Sequence, residues 1–266
     1  MTMKHPLLSA VFGLLIVAGG APRALAGDIT VLSAGAMRSA VQEIAASYQQ
    51  SSGDRLTMIF GTAGDVVQRI SKGDKVYNVA IATKPRLEEL ENSGKLVPGS
   101  ITVIGRSPIA LAVRKGQPKP DIGTVEAFKM ALLAAASIAY TDPASGGTSG
   151  IHMVQVLHDL GIADAVRGKT KLVTGEPGAP PAVGEAVARG AAEIGLQPIS
   201  ELAGVPGIDI VGPIPEALQT PALTYAAGLV AGTGDQPSST EFVKFLASEA
   251  AANVVKSKGM IPGDGR

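Results

Sequence analysis

Apolar residues along this chain fall into two alternating rhythms. Short apolar runs are followed, after a turn of small residues, by apolar positions spaced three and four apart. The stretch DITVLSAGAMRSAVQEIAASYQQ sets the pattern. It predicts a strand over 28–33 and a helix near 37–51, with Val41, Ile44, Ala45 and Tyr48 on one face. LTMIFGTAGDVVQRISKG repeats it, with a strand over 56–60 and a helix near 65–72. VAIATKPRLEELENSG, the passage from ASIAY into TDPASGGTSGIHMVQVLHDLG, and AEIGLQPISELAG give three further cases. Strands alternating with helices predict an α/β fold with parallel sheets and right-handed crossovers.

The rhythm breaks twice. ITVIGRSPIALAVRKGQ holds two strand-like runs with no helix between them, and the Pro-rich VGPIPEALQTPALTYAAGLVAG does the same at 211–232. Two such crossings are what a chain needs to leave one lobe, build a second and return. The expected division is lobe one over 27–105 plus 222–266, and lobe two over 106–221. SSTEFVKFLASEAAANVVKSKGM closes the chain as a helix pair, expected to start at a Ser or Thr N-cap with Glu241 in the first turn.

In such folds ligands bind beyond the carboxyl ends of strands, beside helix N-termini that carry unpaired N–H groups and a positive dipole end. The rule collects loops 33–39, 61–65, 83–84, 141–150, 174–181 and 197–200 from both lobes. Small residues at one such turn are ordinary punctuation. Their recurrence on both sides of an interlobe cleft predicts a clamshell that closes on a small anion. The candidate ligand residues are Arg38, Ser39, Thr62, Ser145, Thr148, Ser149 and Gln197, with Ser33 a further hydroxyl. Arg38 is the charged group of the first loop, suited to clamping a carboxylate or phosphate.

Composition narrows the chemistry. Lys plus Arg and Asp plus Glu both number 23, a balance that argues against nucleic acid or an anionic membrane surface as partner. Aromatics make up 3% of the chain and Trp is absent, which argues against sugar-stacking platforms. With no Cys and only His152 and His158 beyond the N-terminal segment, no transition-metal cluster can be built. No nucleophile elbow, P-loop or dinucleotide fingerprint occurs. No metal or other cofactor is expected. His152, just after the 141–150 turn, and Glu176 are the candidate acid/base residues, with Asp142 a third, although a solvated or structural side chain is the commoner reading of each.

The opening residues 28–73, together with GAAEIGLQPISEL and FVKFLASEAAANVVKSKGM, resemble the periplasmic molybdate-binding-protein-like solute-binding family. The resemblance covers essentially all of 27–266. It implies a type II periplasmic binding fold: two α/β lobes, a two-strand hinge, an oxyanion in the cleft and a membrane transporter complex as partner. It also aligns Ala36, Thr62-Ala63 and Pro198 with a serine, a serine pair and a tyrosine that ligate molybdate in that family. DPASGGTSGIH and IGLQPISEL resemble a divergent branch that includes aconitate isomerase, an enzyme on the same fold acting on a tricarboxylate. Three readings follow: a receptor for a di- or tricarboxylate, a cofactor-free isomerase, and a molybdate or tungstate receptor.

Residues 1–26 carry Lys4 and His5, an apolar run from Leu7 to Ala18 and the Ala24-Leu25-Ala26 cleavage pattern. They read as an export signal, too short for a confident membrane span, and place the rest of the chain in the periplasm without an anchor. N-terminal sequencing of protein recovered from its native host is expected to begin at Gly27. A chain still starting at Met1 would refute this.

Overall fold

A computed structural model of the chain describes residues 27–73, 75–175, 182–234 and 236–263. The first half runs β1 (Asp28–Ala34), α1 (Arg38–Ser52), β2 (Arg55–Gly61), α2 (Ala63–Lys72), β3 (Val79–Thr83), α3 (Lys84–Asn92) and β4 (Thr102–Arg106). The chain then builds β5 (Ile109–Arg114), α4 (Val125–Ala134), β6 (Ile138–Thr141), α5 (Thr148–Asp159) and α6 (Ala163–Arg167). Next come β7 (Thr170–Val173), α7 (Val183–Ala188), β8 (Ile194–Pro198), α8 (Ile199–Leu202) and β9 (Ile208–Pro213). It ends with β10 (Thr224–Leu229), α9 (Gln236–Leu246), α10 (Glu249–Ser257) and β11 (Ile261–Pro262).

The strands form a six-stranded sheet, β11-β4-β10-β3-β1-β2, and a five-stranded sheet, β7-β6-β8-β5-β9. Each lobe is one sheet with its helices. The sheets are mixed, which corrects the expectation of parallel ones. β1 is parallel to β2 and β3, and β6 to β7 and β8, as βαβ units require. β10 instead runs antiparallel to β3 and β4, and β5 antiparallel to β8 and β9. These are the strands by which the chain enters a lobe from the other one, so no crossover helix sets their direction.

The hinge is where the chain passes between sheets. Ser107 and Pro108 alone connect β4 to β5, and residues 214–223 carry the return. The two crossings are bonded together: Ser107 N–H donates to Leu223 O at 3.2 Å, and Ile109 N–H to Gln219 Oε1 at 2.9 Å. Gln219 Nε2 returns a bond to Ile109 O at 2.8 Å.

Helix faces follow the apolar spacing. α1 buries Ala40, Val41, Ile44, Ala45 and Tyr48 against its sheet. Phe128 and Phe242 are fully buried, each contributing roughly 1.5–3 kcal/mol by removal from water. α2 starts at Ala63, two residues earlier than its apolar spacing suggests, because Thr62 and Asp65 form a capping box. α9 starts at Gln236, so Glu241 lies beyond the first turn, contrary to expectation, and bonds Lys244 at 2.8 Å. Pro237 is tolerated there because first-turn N–H groups have no helical partner to lose. Among the described residues no helix is long and apolar enough to cross a membrane.

One glycine fixes the turn that matters most for the cleft. A Cβ on Gly150 would lie 2.1 Å from Thr141 O and 2.9 Å from Thr141 C, both backbone atoms at the end of β6. Gly150→Ala is therefore expected to destabilise the protein by about 1–3 kcal/mol or more. A urea midpoint equal to wild type would show that this approach is not needed.

Candidate functional site

The lobes meet directly across the cleft. Thr62 Oγ1 donates to Ser145 O at 2.9 Å, and Gly64 N–H donates to Gly146 O at 3.2 Å. Ser39 Oγ reaches Ser200 O at 3.4 Å. A Cβ on Gly64 would sit 3.0 Å from Gly146 Cα, so a side chain there would need the opposing turn to give by a few tenths of an ångström.

Behind these contacts lies a cavity of about 30 Å³. Gly35, Ala36, Thr62 and Ala63 line it from one lobe, and Thr141, Thr148 and Ser149 from the other. Tyr225 closes it from hinge strand β10. Two helical starts border the cavity without a side-chain cap: the 3₁₀ turn Gly35–Met37 that leads into α1, and α5, whose N-cap is Gly147. Helical starts of this kind leave first-turn N–H groups without helical partners and carry a positive dipole end, features that favour an anion.

A second cavity of about 490 Å³ adjoins it, lined by Arg38, Ser39, Glu185 and Ser200 among others. Gly35 and Glu201 line both cavities and form a stretch of wall common to the two. Glu201 is the acidic group that the sequence rule missed by one residue, since it ended that loop at 200. It sits on the short helix α8 straight after β8, where strand-end groups converge.

The electrostatics of this wall are unusual. Glu201 keeps part of its surface on the cavities, yet crowding protein atoms deprive its carboxyl of bulk water. That desolvation pushes its pKa from 4.5 up to about 8. A hydrogen bond from Gln197 and the charge of Arg38 pull the other way, and Glu185 adds to the rise. Burial pulls Arg38 down, partly offset by Glu201. The guanidinium carbon of Arg38 lies 4.2 Å from the centre of the Phe60 ring, a cation–π contact, and its Nε is buried without a hydrogen bond. Tyr225 is held far above an ordinary phenol, first by burial and then by Glu201, so its hydroxyl stays protonated as a donor.

The structure places the expected site residues in three groups. Thr62, Thr148 and Ser149 line the small cavity, although the Thr62 hydroxyl is engaged in its capping box and with Ser145. Arg38 and Ser39 line the large one. Gln197 is 1% exposed and acts on Glu201, while Ser145 Oγ donates to Asp142 O at 2.6 Å. Neither lines a cavity. His152 Nε2 pairs with Leu218 O at 2.8 Å, on the hinge segment. Asp142 Oδ1 accepts from Ala144 N–H at 2.9 Å in its own turn. Glu176 lies outside the described residues. Ser33 is fully buried and bonds Ala34 O. Tyr225 had no local signal, because only the fold carries the hinge strand to the cradle.

Two lobes, a two-strand hinge and a cavity at the interlobe cleft define a periplasmic-binding-protein clamshell of type II. The chain belongs to the bacterial extracellular solute-binding proteins, whose family model matches residues 29–261. It is 34% identical over 239 residues to an aconitate isomerase from a Pseudomonas species, covering 88% of this chain and 87% of that one. A molybdate-binding protein from Azotobacter vinelandii is 29% identical over 260 residues, covering 92% of this chain and 96% of its own. The solved periplasmic molybdate-binding protein of Azotobacter vinelandii superposes with a TM-score of 0.73 at 20% identity. That match covers 88% of this chain and 98% of the other, and shows the shared fold.

The raised pKa of Glu201 has a consequence for stability. Between about pH 4.5 and 8 the folded chain keeps a proton on Glu201 that the unfolded chain has lost. Stability contributed by this group therefore falls as pH rises through that window, with a slope of at most about 1.4 kcal/mol per pH unit. Urea unfolding across this range is expected to show the decline in wild type and a flatter curve in Glu201→Gln. Equal slopes in the two would show that Glu201 titrates normally.

Proposed function

We propose that this chain binds a di- or tricarboxylate in its cleft and interconverts cis- and trans-aconitate by an allylic proton shift. The observation that carries the reading is Glu201, a proton-holding carboxyl that lines both cavities and feels the charge of Arg38, which lines the larger one. A receptor for a preformed oxyanion needs neutral donors, whereas a carboxylate substrate and a proton transfer call for a fixed cation and an acid/base group. The 34% identity with aconitate isomerase over most of both chains supports the same reading.

Molybdate fits poorly. Ala36, Ala63 and Pro198 line the small cavity at positions aligned with ligating hydroxyls of the molybdate binders, and all three lack a hydroxyl. Leaving a buried oxyanion short of one donor costs about 1–3 kcal/mol.

A second reading has its own support. Membership of the solute-binding family favours a periplasmic receptor that captures a carboxylate and delivers it to a membrane transporter complex. On either reading the ligand enters between the lobes and the hinge closes on it.

Proton NMR of cis-aconitate with the purified protein separates the two. Appearance of the trans isomer is the expected result; unchanged substrate with saturable binding by calorimetry would leave a receptor. Arg38→Ala is expected to weaken carboxylate binding by about 2–5 kcal/mol, much of it from leaving a buried anion unpaired. Tight molybdate binding with no response to aconitates or tricarballylate would refute the carboxylate reading.

A further inference from the structure

We infer that the substrate lies across both cavities and that Glu201, at their junction, removes its proton from one carbon and returns it to another. This rests on the isomerase reading above and identifies the group that carries it out.

The geometry comes from the two volumes. The cavity of about 30 Å³ has room for roughly two water molecules, the size of a carboxylate group and far short of a six-carbon tricarboxylate. The remainder of such a ligand has space in the adjoining cavity of about 490 Å³, where Arg38 lines the wall. A molecule with one carboxylate in the cradle and another beside Arg38 must pass the two residues common to both cavities, Gly35 and Glu201. Gly35 has no side chain to react. Glu201 is then the side chain beside the carbon chain that joins the carboxylates.

The groups around Glu201 suit proton transfer. Gln197 from β8 hydrogen-bonds the carboxyl and fixes its orientation, while Arg38 from α1 and Glu185 from α7 act on it through space with opposite sign. Tyr225 from β10 faces it as a protonated phenol. In the step itself, a Glu201 carboxylate oxygen takes a proton from the methylene carbon. The C–H electron pair forms the new double bond as the old one moves its pair to the far carbon of the three-carbon unit. Protonated Glu201 then gives the proton to that far carbon and is again a carboxylate. No electrons enter or leave, and no co-reactant is needed. Arg38 and the uncapped helical starts stabilise the delocalised anion between the two transfers.

The test compares wild type, Glu201→Gln and Glu201→Asp by proton NMR with cis-aconitate in deuterated buffer. Circular dichroism and calorimetry with tricarballylate, which has no double bond to shift, accompany it. Glu201→Gln should bind tricarballylate within a few-fold of wild type, since the amide resembles the protonated acid. Its turnover should fall by about 10²–10⁴-fold, the usual contribution of a positioned acid/base group. Deuterium incorporation should be lost in parallel, and Glu201→Asp should recover part of both. Wild-type kcat/KM should rise with pH towards about 8 as Glu201 ionises, and the residual activity of Glu201→Gln should lack that limb. A Glu201→Gln variant that turns over within tenfold of wild type would overturn this inference alone. Wild-type protein that leaves cis-aconitate untouched would overturn the parent reading and this one with it.

Discussion

Everything the cleft can do depends on how closely two turns approach one another. The 62–64 turn of one lobe and the 145–147 turn of the other touch through backbone, with Thr62 Oγ1 on Ser145 O and Gly64 N–H on Gly146 O. A Cβ on Gly64 would stand 3.0 Å from Gly146 Cα, and one on Gly146 3.1 Å from Gly64 Cα, so the two turns already approach closely. Close packing of the lobes also lowers the local dielectric, which strengthens every electrostatic interaction at the cleft. The two hinge crossings behind this contact are bonded to each other as well.

The same closure sets a conflict between stability and chemistry. Packing α8 against the first lobe takes the Glu201 carboxyl out of water, which costs folding free energy whenever it is charged. Arg38 is likewise held in a partly desolvated place, with Phe60 under its guanidinium and no hydrogen bond for its Nε. A structure selected only for stability would replace such a pair with apolar groups. Their place on the cavity walls makes them candidates for function rather than for stability.

The fold itself does not decide between carrying and converting a ligand, since sites of both kinds can be built on one framework. What differs is the lining of the cleft. Neutral hydroxyls and backbone N–H groups match an ion that enters and leaves unchanged. A cation beside an acid that holds its proton near neutral pH matches a ligand whose protons are to be moved.

Much of the architecture was legible in the residues alone. Strand–turn–helix rhythm located β1, β2, β3, β6 and β8 with their helices, because burial on a sheet or helix face imposes its period locally. The two breaks in that rhythm marked the hinge crossings. The strand-end rule brought Thr62, Thr148, Ser149, Arg38 and Ser39 to the cleft, since helix N-termini gather there in any α/β sheet. The antiparallel course of β5 and β10 was not legible, for it depends on which lobe the chain is entering. Nor was the partition of the cleft into two cavities, nor the withdrawal of Ser145 and His152 to backbone partners. Glu201 and Tyr225 stand 24 residues apart on different elements, and only the folded hinge brings them to one wall. Periodicity reports what a residue does to its own helix or strand. The solvent, charge and neighbours around a carboxyl are properties of the assembled interior, and those the tertiary structure alone decided.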